Sequence, residues 1–126
     1  MAKTVVATNK APGAIGPYSQ GIMANGFVFV SGQLGLVPET GEFAAGGVAG
    51  QARQSLTNVK HILEAAGSGL EKVVKVTVFL KDIKDFAAMN AVYSEFFKAD
   101  YPARSAVQAA ALPKDGLVEI EVIAET

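Results

Sequence analysis

Hydrophobic and polar positions repeat along this chain with two periods. From Val48 to Ala66 the apolar residues Val48, Ala52, Leu56, Val59, Leu63 and Ala66 recur at spacings of three and four. That is one stripe of an α-helix, and Gly67 supplies its stop. Between Val73 and Leu80 the period falls to two, with Val74, Val76, Val78 and Leu80 on one side and Lys75, Thr77 and Phe79 on the other. This pattern predicts a strand with one buried face. Phe86, Met89, Tyr93 and Phe97 then form a second helical stripe, which Asp85 can cap and Tyr101-Pro102 ends.

Upstream, Gly21–Ala24 and the β-branched, aromatic run Phe27–Ser31 flank Asn25-Gly26, a strong hairpin signal. Pro12, Gly13, Gly16 and Pro17 make the preceding segment an ordered loop, and residues 38–42 form another. Strands over Arg104–Ala111 and Leu117–Ala124, joined by a chain-reversing turn at residues 112–116, complete the order β-β-β-α-β-α-β-β. Helices mixed with hairpins indicate an α+β fold whose two helices pack on one face of the sheet. Parity assigns Val107, Ala109 and Ala111, and Val118, Ile120, Val122 and Ala124, to the helix side. Arg104, Ala106, Gln108, Glu119 and Glu121 should then share the far face with Lys75, Thr77, Phe79, Phe27 and Phe29. Such a mixture of aromatic, small and ionic groups suits a subunit interface better than open solvent.

Composition narrows the picture. A chain of 126 residues, half of them hydrophobic, is expected to form one domain over residues 1–126. With 11 Lys and Arg against 12 Asp and Glu, it lacks the electrostatic footprint of a nucleic-acid binder. The N-terminal decapeptide resembles neither a signal nor a transit peptide and reads as mature protein, and no apolar run is long enough to span a bilayer. The expectation is a cytoplasmic protein with neither membrane nor nucleic acid as partner.

Without cysteine and with one histidine, the chain offers no transition-metal ligand cluster, so no metal is expected. Neither a Walker loop nor a dinucleotide fingerprint is present. His61 falls about 200° around the first helix from Val59 and is read as solvated, which removes the one route to a Ser-His-Asp triad. Asn90 lies on the apolar stripe of the second helix, where its amide needs a partner, either backbone or ligand. Tyr18 is either a packing anchor of its loop or a site residue.

Taken together, Gly16-Pro17-Tyr18-Ser19-Gln20, Val30-Ser31-Gly32-Gln33, Gln51–Val59, Val73–Asp82, Pro102-Ala103-Arg104-Ser105 and Glu119-Ile120-Glu121 closely resemble the RidA (YjgF) family of 2-iminobutanoate/2-iminopropanoate deaminases. The likeness runs in order from about residue 10 to the C-terminus. It implies a chorismate-mutase-like α+β fold and a homotrimer whose sheets form a central barrel with sites between subunits. It also implies hydrolysis of reactive 2-imino acids, the products of dehydratases, to 2-keto acids and ammonia. By the resemblance, Arg104 binds the substrate carboxylate, Tyr18 and the Ser31-Gly32 pair line the site, and Glu119 attends the attacking water. Asn90 and Phe86 line the pocket.

These residues suit the chemistry. A guanidinium can hold a carboxylate through two parallel hydrogen bonds, and a carboxylate base can activate water next to the electrophilic C=N carbon. No cofactor is required. Many family members carry cysteine two residues after the arginine, where this chain has Ala106; only backbone groups there can bind substrate, and thiol chemistry is excluded. The competing reading is a non-catalytic trimeric module that binds small carboxylates or partner proteins. Retention of both Arg104 and Glu119 favours the enzyme, and the near-neutral charge disfavours direct ribonuclease chemistry.

Overall fold

Asn25 and Gly26, with φ of 54° and 85°, both lie in the left-handed region and close a two-residue turn between β2 (Gly21–Ala24) and β3 (Phe27–Leu34). This is the backbone twist that tight hairpins favour, and Asn-Gly adopts it at low cost. In this computed structural model, which describes residues 2–126, a short β1 (Thr4–Val6) pairs with the outer side of β2. The remaining elements are α1 (Gly47–Ala65), β4 (Val73–Leu80), α2 (Phe86–Phe96), β5 (Ala103–Gln108) and β6 (Val118–Glu125).

The sheet has the order β1-β2-β3-β6-β4-β5. All pairs are antiparallel except β4 with β5, which are parallel and connected through α2. The turn at residues 112–116 therefore reverses the chain without placing β6 beside β5. Instead β6 enters between β3 and β4, the central position its Val118-Ile120-Val122-Ala124 face warrants, since those residues are fully or almost fully buried.

Both helices pack on one face of this mixed six-stranded sheet, as the pattern predicts. Leu56, Val59, Ile62 and Leu63 of α1 and Met89 and Val92 of α2 meet Val28, Val76, Val78 and Ile120 in one core. Each such side chain contributes on the order of 1.5–3 kcal/mol by leaving water. The α1 terminus is closed by left-handed Gly67 (φ 78°), with Ser68 N–H donating to the Leu63 carbonyl at 2.8 Å.

Four expectations need correction. The parity of β5 is inverted: register with β4 pairs Arg104 with buried Val76 and Ala106 with buried Val78, so both face the helices. Val107 is left 45% exposed on the far side. Gln108 is exposed and accepts from the Ile83 N–H. Apolar character misleads here because an edge strand takes its register from its neighbour. In β4, an extra residue opposite β6 makes Val74 an exposed bulge and buries Val73 in its place. Asp85 sits before α2 without capping it; the side chain of Asp82 accepts from Lys84 N–H one turn earlier. His61 is not fully solvated, since its Nδ1 lies 2.9 Å from the Lys10 carbonyl and ties α1 to the N-terminal segment.

Candidate active site

The first group of site residues is organised by an irregularity in β3. Val30 pairs with Val122 and Gln33 with Ile120, so Ser31-Gly32 carries one residue more than its partner strand. Such a bulge re-aims side chains and backbone. Buried polar groups of α1 hold its far end: Ser55 Oγ donates to the Gln33 carbonyl at 2.6 Å, and Asn58 Nδ2 donates to Leu34 and Leu36 carbonyls. From the other side, Ser31 Oγ donates to the Ser19 carbonyl at 2.6 Å, and Ser31 N–H to that of Gln20 at 2.9 Å. The Tyr18 loop is thereby fastened to the bulge.

Gln20 completes the fastening. Buried at the start of the hairpin, its amide donates to the carbonyls of Thr8, Ala11 and Pro12 and accepts from Thr8 N–H. Tyr18 remains half exposed on the resulting platform. It lines an open cleft of about 690 Å³ with Ile15, Gly32, Leu36, Lys114 and Glu119. The Glu119 side chain lies against Gly32 so closely that a β-carbon there would sit 2.9 Å from the carboxyl carbon. Partial burial, and then the negative charge of Glu121, push the Glu119 carboxyl above its ordinary range.

The second group surrounds Arg104. Its Nη1 donates to Asn90 Oδ1 at 2.7 Å, and its guanidinium lies over the Tyr93 ring at 4.5 Å and the Phe86 ring at 5.4 Å. Arg104, Asn90 and Tyr93 line a cleft of about 410 Å³ with Ser94, Tyr101 and Pro102. Ala106 packs toward the core beside them. Because β5 is an edge strand, alternate backbone groups on its outer side have no strand to pair with among the described residues. The amide of Asn90 thus has its partner in the arginine.

The residues picked from sequence therefore gather in two places. Tyr18, Gly32 and Glu119 line one cleft, with Ser31 fastening the Tyr18 loop beside it; Arg104 and Asn90 line the other, with Phe86 against the guanidinium and Ala106 packed on the core two residues along β5. Arg104 faces the helices while Glu119, paired opposite Phe79, faces away from them. β4 runs between their strands.

The protein-family model described as Endoribonuclease L-PSP matches residues 8–126. This chain belongs to that family, the RidA (YjgF) family. A 2-iminobutanoate/2-iminopropanoate deaminase of Capra hircus is 51% identical over 124 residues, covering 98% of this chain and 90% of the relative. A RutC family protein of Pyrococcus abyssi is 55% identical, covering 98% of both. The crystal structure of Escherichia coli TdcF with bound serine superposes with a TM-score of 0.93 at 51% identity, over 98% of each chain.

Beside the two clefts of this RidA-family chain, Gln20 and Tyr93 make contacts that the sequence patterns do not single out. Gln20 sits inside the Gly16–Gln20 motif, and its signal is a lone amide between a Pro/Gly loop and a strand. Tyr93 belongs to the apolar stripe of α2, a pattern that predicts core and nothing more. Among the described residues no group of His, Cys, Asp and Glu is arranged to hold a metal ion, and no helix is long and apolar enough to cross a membrane.

Proposed function

We propose that this RidA-family protein hydrolyses 2-imino acids to 2-keto acids and ammonia, at sites completed by two copies of the chain. The observation that carries the reading is a guanidinium pre-oriented by Asn90, and a carboxyl group held half-desolvated beside a bulge, in a chain about half identical to proteins named for this reaction.

Arg104 takes the substrate carboxylate. With one Nη1 hydrogen committed to Asn90, it keeps a pair of parallel donors for a bidentate grip, which fixes the adjacent C=N carbon. Glu119 accepts a proton from water as the water oxygen bonds to that carbon, and the imine nitrogen takes up a proton to give a carbinolamine. The nitrogen draws that proton from solvent; Glu119 then passes its own proton to the nitrogen, takes the hydroxyl proton as the C–N bond breaks to leave the ketone and ammonia, and releases it to solvent. A carboxyl group raised above its ordinary range suits both halves of this cycle near neutrality. Tyr18 orients the water. Ser31, whose hydroxyl proton is engaged by Ser19, can only accept from substrate or water. Backbone groups at the free edge near Ala106 hold the nitrogen, and no cofactor takes part.

A small imino acid cannot touch Arg104 and Glu119 of one chain, because they lie on opposite faces with two strand spacings, roughly 10 Å, between their strands. Bringing a second copy's Glu119 cleft to the Arg104 cleft removes the conflict. The outward sheet face supplies a surface for it: Phe29, 41% exposed and edge-on to Phe27, and Val107, 45% exposed, flank Lys75, Thr77 and Glu121. A trimer closed through this face, each copy acting as one domain in the cytoplasm, completes the reading.

The test is direct. A dehydratase generates 2-aminoacrylate in situ, and pyruvate formation is followed with and without the protein. Acceleration proportional to added protein is the expected result; keto-acid binding without acceleration would establish the non-catalytic module instead.

A further inference from the structure

α2 presents Phe86, Asn90 and Tyr93 at positions i, i+4 and i+7, one stripe of a helix, and all three meet Arg104. Asn90 fixes one end of the guanidinium by a hydrogen bond. The nearer ring, that of Tyr93, lies under the guanidinium with its centroid 4.5 Å away. This ring is itself immobilised: Tyr93 is 5% exposed, and Phe97 packs against it with centroids 4.6 Å apart. The phenolic oxygen is buried without a hydrogen-bond partner among the described residues. Burial holds the hydroxyl above its ordinary pKa with the Arg104 charge acting against it, yet no hydrogen bond joins the two groups, and the contact Tyr93 makes with the cation is through its ring.

We infer that Tyr93 is a positioning residue for substrate binding: its ring holds the Arg104 guanidinium in the plane that presents two parallel donors to a carboxylate. This rests on the reading of Arg104 as the carboxylate anchor. Arginine has several rotatable bonds, and a fork that must be ordered by its ligand binds more weakly than one already ordered. Since the carboxylate is held alike in substrate and transition state, loss of the platform raises KM and leaves kcat nearly unchanged.

Calorimetric titration with 2-ketobutyrate, an inert product-like acid, tests this without relying on turnover, so a failure of the deaminase reading and a failure of this one are told apart. Tyr93→Met, similar in volume and lacking a π face, is expected to weaken binding about tenfold, while Tyr93→Phe stays within about threefold of the parent. Tyr93→Leu serves if the methionine variant does not fold, as judged by its melting transition. In an Arg104→Lys background the methionine substitution should cost less than about threefold, because a lysine has no plane to hold. In the imine assay KM rises and kcat holds. The inference is overturned by parent-like binding in Tyr93→Met. It is equally overturned if Tyr93→Phe is as weak as Tyr93→Met, or if the loss is undiminished beside Arg104→Lys.

Discussion

Arg104 stands on the helix face of the sheet and Glu119 on the opposite face, with β4 between their strands. The side of the sheet that carries Glu119 also carries Phe27, Phe29 and Val107, large apolar residues that water would otherwise cover. Assembly and activity are therefore expected to fail together. Phe29→Glu places a charge on that face without touching the core, and sedimentation should show a folded monomer devoid of imine hydrolysis where the parent sediments as a trimer. A monomeric variant that retains turnover would separate the site from the interface.

Gly32 owes its identity to Glu119. A methyl group there would occupy the space of the carboxylate, so Gly32→Ala must push Glu119 out of its cleft. Turnover should fall by about 10- to 100-fold, the scale of a misplaced general base, with the melting temperature nearly unchanged. Retention of more than half the parent kcat would show that Glu119 does not act from its observed position.

The pH dependence follows from the same carboxyl group. Its pKa is raised by burial and then by Glu121, which means that ionisation is disfavoured in the folded chain. The resulting cost to stability is absent below the ordinary carboxylate pKa and complete above the raised one, so stability declines as pH rises through that window. Activity runs the other way, because the base must be ionised to accept a proton. The acidic limb of kcat/KM should lie above the ordinary carboxylate range, and Glu121→Gln, which removes one of the two causes, should move it to lower pH. An unmoved limb would assign it to another group.

Asn58 is a structural counterpart to these residues. Fully buried in α1, it accepts from Gln54 and donates to the carbonyls of Leu34 and Leu36. Asn58→Ala leaves those carbonyls without their donor in a dry setting, at a cost of about 2–4 kcal/mol. Denaturant unfolding should show the loss as a lower midpoint, and a shift below about 0.5 kcal/mol would mean that water replaces the amide.

Much of this arrangement was legible in the sequence. Local chemistry set the Asn25-Gly26 hairpin, the Gly67 stop and the stripes of both helices, and the strict alternation from Val118 to Ala124 placed Glu119 away from the core. Non-local pairing was not legible. The insertion of β6 between β3 and β4, and the register of β5 on β4, depend on contacts between distant segments, and an edge strand with Val107 and Ala106 side by side offers no pattern to choose a face. The resemblance implies sites between subunits, but parity sets Arg104 and Glu119 on one face, and only the register of β5 on β4 turns Arg104 to the other. Gln20, Ser55 and Asn58 lie within the motifs that carry the resemblance, but their buried duties become legible only when the carbonyls they serve are seen.

Complementation between two inactive variants tests the shared site most directly. Arg104→Ala removes the anchor and Glu119→Gln the base, and each homotrimer alone should be nearly inert in the imine assay. After the two are unfolded together and refolded in equal amounts, random assembly gives about one interface in four an intact Arg104 facing an intact Glu119. Activity of about a quarter of the parent is the result expected if every site draws on two copies. Activity no higher than the sum of the two separate variants, in a mixture shown to contain hybrid trimers, would contradict it.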